Sequence, residues 1–301
     1  MATTLNEKGQ TVRVAKRGSL LWWYRQLRKS ATATLGVIII LCFVGASVFA
    51  PYLAPYDPGK PHLDRRFSAP TLGRDVVHPH FLGTDQLGRD LLSRIIYGSR
   101  ISLIVGVCAV SIACTIGVAM GLISGFFGGA ADTIIMRVVD TILAIPKVML
   151  YVALFGVFGS NLIVLIGILG VLRWTTYARV VRGEVMSLKN REYVEAARAI
   201  GQNQLKILLR HILPNVAASI IILATLEIAV VIVVESSMSF LGLGVQPPTV
   251  TWGQMLSDGR AYVGSAWWIA TFPGIAITTS VLGIIFVGDW LRDVLDPKLR
   301  T

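Results

Sequence analysis

ISLIVGVCAVSIACTIGVAMGLISGFFGGAA, residues 101–131, contains no Asp, Glu, Lys or Arg. An α-helix rises about 1.5 Å per residue, so about 20 apolar residues cross the hydrocarbon of a bilayer. Because a helix satisfies every backbone N–H and C=O within itself, it is the form such a stretch takes in lipid. The segment therefore reads as a membrane-spanning helix with residues to spare. Gly117, Gly121 and Gly125 recur in it at i, i+4 and i+8, a ladder of small residues that lets another helix backbone approach closely. The ladder predicts a packed bundle and says nothing about what the bundle carries.

The same test extends outward in both directions. Residues 30–56, 148–172 and 261–288 are also free of charge, and residues 212–257 carry only Glu227 and Glu235. Six spans are expected, at 32–54, 101–123, 138–158, 161–182, 214–237 and 266–288, giving an all-α polytopic membrane protein. Asp140, Pro146 and Lys147 interrupt the third span, and Arg173 interrupts the fourth. Composition agrees: 54% of the 301 residues are hydrophobic and 15% are charged, against about 25% charged in soluble domains.

A net charge of +11 fits a nucleic-acid binder or a membrane protein with a basic cytoplasmic side, and the distribution of charge separates the two. Lys8, Arg13, Lys16, Arg17, Arg25, Arg28 and Lys29 precede the first span, opposed by Glu7 alone. Arg179, Arg182, Lys189, Arg191, Arg198, Lys206 and Arg210 cluster between the fourth and fifth spans. Both basic regions fall on one side if both termini are cytoplasmic, so no nucleic-acid partner is expected. The resulting organisation is a basic cytoplasmic segment (1–30), a first transmembrane helix (31–54), an extracytoplasmic loop with an amphipathic helix (55–100), a five-helix core (101–288) holding a cytoplasmic loop (184–213), and a cytoplasmic tail (289–301). The external loop is itself basic, but five Asp offset most of its charge, and long loops translocate with little regard to charge. A cleavable signal peptide is the other reading of the N-terminus, and the apolar stretch after Lys29 is longer than a signal peptide requires.

Catalytic and metal-binding signatures are missing from the sequence. There is no GxxxxGK[ST] phosphate loop, so ATP binding by this chain is not expected, and neither HExxH nor GxSxG occurs. Cys42, Cys108 and Cys114 lie in apolar stretches without ligand spacing, and His78 and His80 fall in an external loop. No metal site and no enzyme activity are expected.

The loop NREYVEAARAIGQNQLKILLRHILPN, residues 190–215, reads as two short helices. In the first, Asn190 is the expected cap and Glu192 sits in the first turn. Tyr193, Ala196, Ala197 and Ile200 follow at i, i+3, i+4 and i+7, and Gly201 stops the helix. In the second, Leu205, Leu208, Leu209 and Ile212 repeat the spacing, and Pro214 opens the next span. An apolar face opposite Glu192, Glu195 and Arg198 suits either a groove on a partner or a bed of lipid headgroups.

In the external loop, Thr84 is the expected cap of a helix with Leu87, Leu91, Leu92, Ile95 and Ile96 on one side and Arg89, Asp90 and Arg94 on the other. That helix either receives an external protein or seals the outer rim of the bundle. Lys147, Arg173 and Glu227 are ionisable groups at membrane depth, where each costs a few kcal/mol unless paired or hydrated. Glu227 is expected to pair with Arg173 or Lys147, beside a solute path or as a static interhelical bond.

Glu195-Ala196-Ala197, then Gly201, then Leu213-Pro214 twelve positions later, resemble the EAA motif of bacterial ABC importer permeases. The chain departs from that pattern at His211. FLGTDQLGRDLLSRIIYGSRISL (81–103), FLGLGVQPPTVTWGQML (240–256) and DWLRDVLDPKLR (289–300) resemble the dipeptide, oligopeptide and nickel permeases, on their C-type subunit. The resemblance implies a type I importer fold in a bacterial or archaeal cytoplasmic membrane. It implies that Tyr193, Glu195, Ala196, Ala197, Ile200, Gly201, Leu213 and Pro214 serve ATPase coupling, and that Arg89, Asp90 and Arg94 face a solute-binding protein. The implied partners are a homologous second permease, two cytosolic ATPase subunits carrying ATP and Mg, and that binding protein. A self-sufficient channel or carrier, and a purely structural subunit, are the competing readings.

Overall fold

The computed structural model describes residues 2–5, 11–14, 20–71 and 80–295. Lys8, Lys16, Arg17, His78 and the end of the 289–300 motif lie outside these. The chain opens with a two-stranded antiparallel ladder, β1 (Ala2–Leu5) against β2 (Thr11–Val14), which the all-α expectation did not contain. From Leu20 onward the described residues form helices and loops.

A short helix α1 (Leu20–Leu27) leads to α2 (Ala31–Val48), whose cap is the Ser30 hydroxyl accepting from the Ala33 N–H. One further turn, α3 (Ala50–Leu53), carries a proline at its start, so the first span is shorter than the expected 32–54. The largest departure follows. The amphipathic helix expected before Arg100 and the span expected from Ile101 are one helix, α4 (Leu91–Phe127), capped by Asp90 and not by Thr84. At 37 residues it is about 55 Å long, so its outer turns stand beyond a hydrocarbon core of about 30 Å.

The third span, expected as one helix over 138–158, is two. α5 (Gly129–Ala144) and α6 (Lys147–Phe158) meet at 90°. The cause is Pro146: the residue before a proline is barred from the α region, and Ile145 is extended at φ −93°, ψ 132°. α7 (Leu162–Leu188) runs six residues past its expected end, and α8 (Glu192–Ala199) follows. A turn of α-helix, α9 (Gln204–Ile207), passes through a π-helical turn (Leu208–Ile212) into α10 (Leu213–Phe240), so the second loop helix and the fifth span are continuous. α11 (Trp252–Gly259) lies between α10 and α12 (Trp268–Leu295), which extends the sixth span into the expected tail.

The glycine ladder fixes the central packing. A Cβ on Gly117 would lie 2.4 Å from the Trp174 carbonyl and Tyr177 Cβ, on Gly121 2.8 Å from Val181 Cβ, and on Gly125 2.8 Å from Val185 Cβ. Numbers rise together along both helices, so α4 and α7 are parallel neighbours at backbone contact. Residues 128–161 therefore return the chain from the end of α4 to the start of α7, which makes the bent α5–α6 pair one crossing. With α2, α4, α7, α10 and α12, each long and apolar enough to span, the described residues hold six candidate spans. Gly36 of α2 meets Gly283 and Phe286 of α12 in the same close manner.

Candidate coupling surface and translocation wall

The loop after α7 is built on its own backbone chemistry. Arg191, not Asn190, is the cap of α8, and Gly201 ends it at φ +76°, a conformation open to glycine. The Gly201 N–H donates to Arg198 O at 2.9 Å and the Gln202 N–H to Ala197 O at 3.1 Å, the paired bonds of a Schellman stop. Only part of the expected apolar face turns inward. Val194 and Ala197 are buried against Leu122, Phe126, Val185 and Ile207, whereas Tyr193, Ala196 and Ile200 are exposed, Ile200 at 82%. Val194 carries the anchoring that periodicity assigned to Tyr193 and Ile200. The result is a short helix pinned by two small side chains and presenting Tyr193, Glu195, Ala196 and Ile200 outward.

His211, the departure from the EAA pattern, lies in the π turn and hydrogen-bonds Gln202 Oε1 through Nε2 at 2.9 Å. That bond ties the residue after Gly201 to the base of α10. Leu213 and Pro214 then begin α10, directly after the π turn; Pro214 brings no backbone N–H to the helix there. Ile207, Leu208 and Ile212 are buried, while Leu205 and Leu209 are exposed.

About midway along α7 and α10, Arg173 and Glu227 form a buried ion pair. Nε and Nη2 both donate to Glu227 Oε2 at 2.5 Å. The same core holds Tyr151, Phe155 and Tyr177, all fully buried. Of the two expected pairings, Arg173 takes Glu227; Lys147, half-buried at the start of α6, makes no ion pair with it within 4 Å. Sequence reasoning noted the charge of Glu235 but did not single it out. Glu235 is fully buried in α10 and accepts from Ser239 Oγ at 2.8 Å and Ser236 Oγ at 3.3 Å. No ion pair to it occurs among the described residues. Its signal in the sequence was the hydroxyl at i+1 and i+4.

The expected outward polar face of Arg89, Asp90 and Arg94 is corrected by burial: Asp90 and Arg94 are each 2% exposed. The segment before α4 and the loop around α11 fold over them. His80 Nδ1 bonds Asp90 Oδ1 at 2.9 Å, and Asp90 Oδ2 accepts the Ser93 N–H at 2.8 Å. Asp85 Oδ2 pairs with Arg89 Nε at 2.6 Å and Arg94 Nη1 at 3.1 Å, with Asp258 of α11 at 3.7 Å from both guanidinium groups. Trp268 Nε1 donates to Thr84 O at 3.1 Å and Trp252 Nε1 to Ile95 O at 2.8 Å. These contacts bind residues 80–90 and α11 into a cap over the N-terminal end of α4.

Residues 117–301 match the family described as "Binding-protein-dependent transport system inner membrane component", and residues 21–70 match "N-terminal TM domain of oligopeptide transport permease C". The chain is 42% identical over 265 residues to a di/tripeptide transport system permease protein DppC of Pseudomonas aeruginosa, covering 88% of each. It is 39% identical over 280 residues to a glutathione transport system permease protein GsiD of Pectobacterium atrosepticum, covering 93% of this chain and 91% of the relative. A dipeptide permease DppC of Alkalihalophilus pseudofirmus is also 39% identical, with 92% and 90% covered. Among solved structures, a chain from inward-facing forms of the MetNI methionine ABC transporter superposes at a TM-score of 0.55 and 20% identity, covering 68% of this chain and 96% of that one. That likeness shows the fold.

Proposed function

The chain belongs to the family of binding-protein-dependent transport system inner membrane components, as a C-type permease subunit of the dipeptide and oligopeptide ABC importers, and from that premise we propose how it couples and what it carries. It is a non-catalytic membrane subunit. The coupling loop docks α8 into a cleft on a cytosolic ATPase through Tyr193, Glu195, Ala196 and Ile200, with Ala197, Gly201, Leu213 and Pro214 holding the helix in place. The observation carrying this reading is the exposure of Tyr193, Ala196 and Ile200 on a helix whose other face is pinned by Val194 and Ala197. A helix lying on lipid would turn its apolar residues to the membrane; this one turns them away from its own bundle, beside acidic Glu192 and Glu195.

The complex then contains this chain, a homologous permease, two ATPase subunits holding ATP and Mg, and an extracytoplasmic binding protein. It sits in the cytoplasmic membrane with both termini of this chain inside. The cargo is a peptide or a similar small solute, in line with the di/tripeptide, dipeptide and glutathione systems of its relatives. Arg173 and Glu227 brace the wall of the path, with the partly exposed Lys147 nearer to solute. Arg89, Asp90 and Arg94 act as the frame of the outer cap that meets the binding protein.

Gentle purification of the tagged chain from its native host, with mass spectrometry of every co-purifying protein, tests the reading. Recovery of a second permease and an ATPase, and loss of the ATPase on Gly201→Asp, is expected. Repeated purification of the chain alone, under conditions that keep other membrane complexes intact, would support a self-sufficient carrier.

A further inference from the structure

The inner end of the bundle holds a junction that neither the EAA loop nor the buried ion pair accounts for. Asp132, in the first turn of α5, takes Arg182 of α7 in a bidentate grip, Nε to Oδ1 at 2.5 Å and Nη2 to Oδ2 at 2.7 Å. The Ser124 hydroxyl of α4 donates to the same Oδ1. Lys189, immediately after α7, donates to the Gly125 carbonyl at 3.1 Å, and the Arg198 guanidinium of α8 lies over the Phe126 ring at 5.6 Å. Four elements thus converge within a few residues of the coupling helix. The link from α4 to α5 turns on Gly128 and Gly129, both at positive φ, and the Ser124–Asp132 bond crosses it. α5 is fastened to α7 as well, through Asp132–Arg182 and the more exposed Asp140–Arg179 pair at 2.7 Å.

We propose that Asp132 and Arg182 are positioning residues for transport, forming the joint through which displacement of α8 and the end of α7 carries α5 and, beyond the Pro146 corner, α6. The inference rests on the coupling-loop reading and adds to it a route into the half of the bundle that holds Lys147. A planar guanidinium meeting both carboxylate oxygens fixes angle as well as distance, which a single charge contact does not. With 22% of the Asp132 side chain and 30% of the Arg182 side chain exposed, the pair is solvated enough that losing it need not unfold the chain. Its contribution lies in alignment.

The test uses the whole complex in proteoliposomes, measuring ATP hydrolysis and solute uptake on the same preparation. For Asp132→Asn and Arg182→Gln, ATPase retention and hydrolysis are expected within about twofold of wild type while uptake per ATP falls about tenfold, inside the 5- to 150-fold range of ordinary coupling between sites. The exchange Asp132→Arg with Arg182→Asp restores much of the ratio, which a purely structural role would not predict. Uptake per ATP at the wild-type value in an intact complex overturns the proposal. So does a parallel loss of assembly and hydrolysis that the conservative Asp132→Glu variant shares and the exchange fails to repair. If wild type retains its ATPase and Gly201→Asp releases it while the Asp132 variants couple normally, this inference fails alone; if wild type retains none, the coupling-loop reading fails first.

Discussion

Arg173 of α7 and Glu227 of α10, 54 positions apart in sequence, meet on a single carboxylate oxygen that receives both Nε and Nη2 at 2.5 Å. Removing one partner leaves the other charge buried and unpaired, which costs about 3–5 kcal/mol in such settings, whereas removing both is often close to neutral. Glu227→Gln should lower the thermal midpoint and the yield of the detergent-solubilised complex, and Glu227→Gln with Arg173→Gln should recover most of the loss. Uptake by the stabilised double variant then separates the two roles. Wild-type flux marks a static brace, and lost flux in a stable complex places the pair on the path.

The glycine ladder predicts a steep contrast between glycines of similar sequence setting. Gly121 faces Val181 Cβ and the Ala178 carbonyl, each at 2.8 Å from an added Cβ, while Gly167 of α7 faces nothing within 4 Å. Gly121→Val should force α4 from α7 at a cost of about 1–3 kcal/mol or more, seen as poor membrane insertion and a lower thermal midpoint. Gly167→Ala should be neutral or stabilising by up to about 1 kcal/mol, because alanine is the better helix former. Equal behaviour of the two variants would disprove the parallel α4–α7 contact.

The outer cap makes a separate prediction. Asp85 neutralises Arg89 and Arg94 at 2.6 and 3.1 Å, and Asp258 stands farther off at 3.7 Å. In Asp85→Asn the buried Arg94 keeps only the distant carboxylate. Faster hydrogen exchange and proteolysis across residues 60–71 and 80–90 are expected, with exchange at the inner ends of α4 and α7 unchanged. A uniform rise over the whole chain would show that the charge supports the bundle and not the cap.

Much of this architecture was legible in the residues, and the exceptions have physical causes. Charge-free length gave the first, second and sixth spans outright, because lipid requires the backbone to close its bonds within each segment. Gly201 announced its stop because few other residues adopt its φ. Periodicity failed where a helix has neighbours on two sides. It set Asp90 and Arg94 outside because they oppose leucines on one helix, and it cannot see that residues 80–87 and α11 cover that face. The same limit concealed Val194, which is buried by the end of α4, far away in sequence, together with the end of α7. Pro146 was visible as an interruption, but a proline alone does not set the angle, and the 90° turn comes from an extended Ile145 between helices anchored on α7.

The anchoring of α8 yields the sharpest comparison, because two apolar residues six positions apart should fail in opposite ways. Val194 is fully buried beneath α4, α7 and the base of α10, so Val194→Asp drives a carboxylate into an apolar cluster where burial of an unpaired charge is costly. The variant chain should lose thermal stability by itself, and the ATPase with it. Ile200 is 82% exposed and touches little of its own chain. Ile200→Asp should therefore leave the permease pair as stable as wild type while the ATPase dissociates more readily, because a well-packed apolar contact at the centre of an interface carries a large share of its energy. Thermal melting of the permease pair, set beside ATPase retention on a column, reads both effects from one preparation. If Ile200→Asp retains its ATPase as wild type does, the exposed face of α8 is not the docking face, and the partner must engage the loop through Leu205 and Leu209 instead.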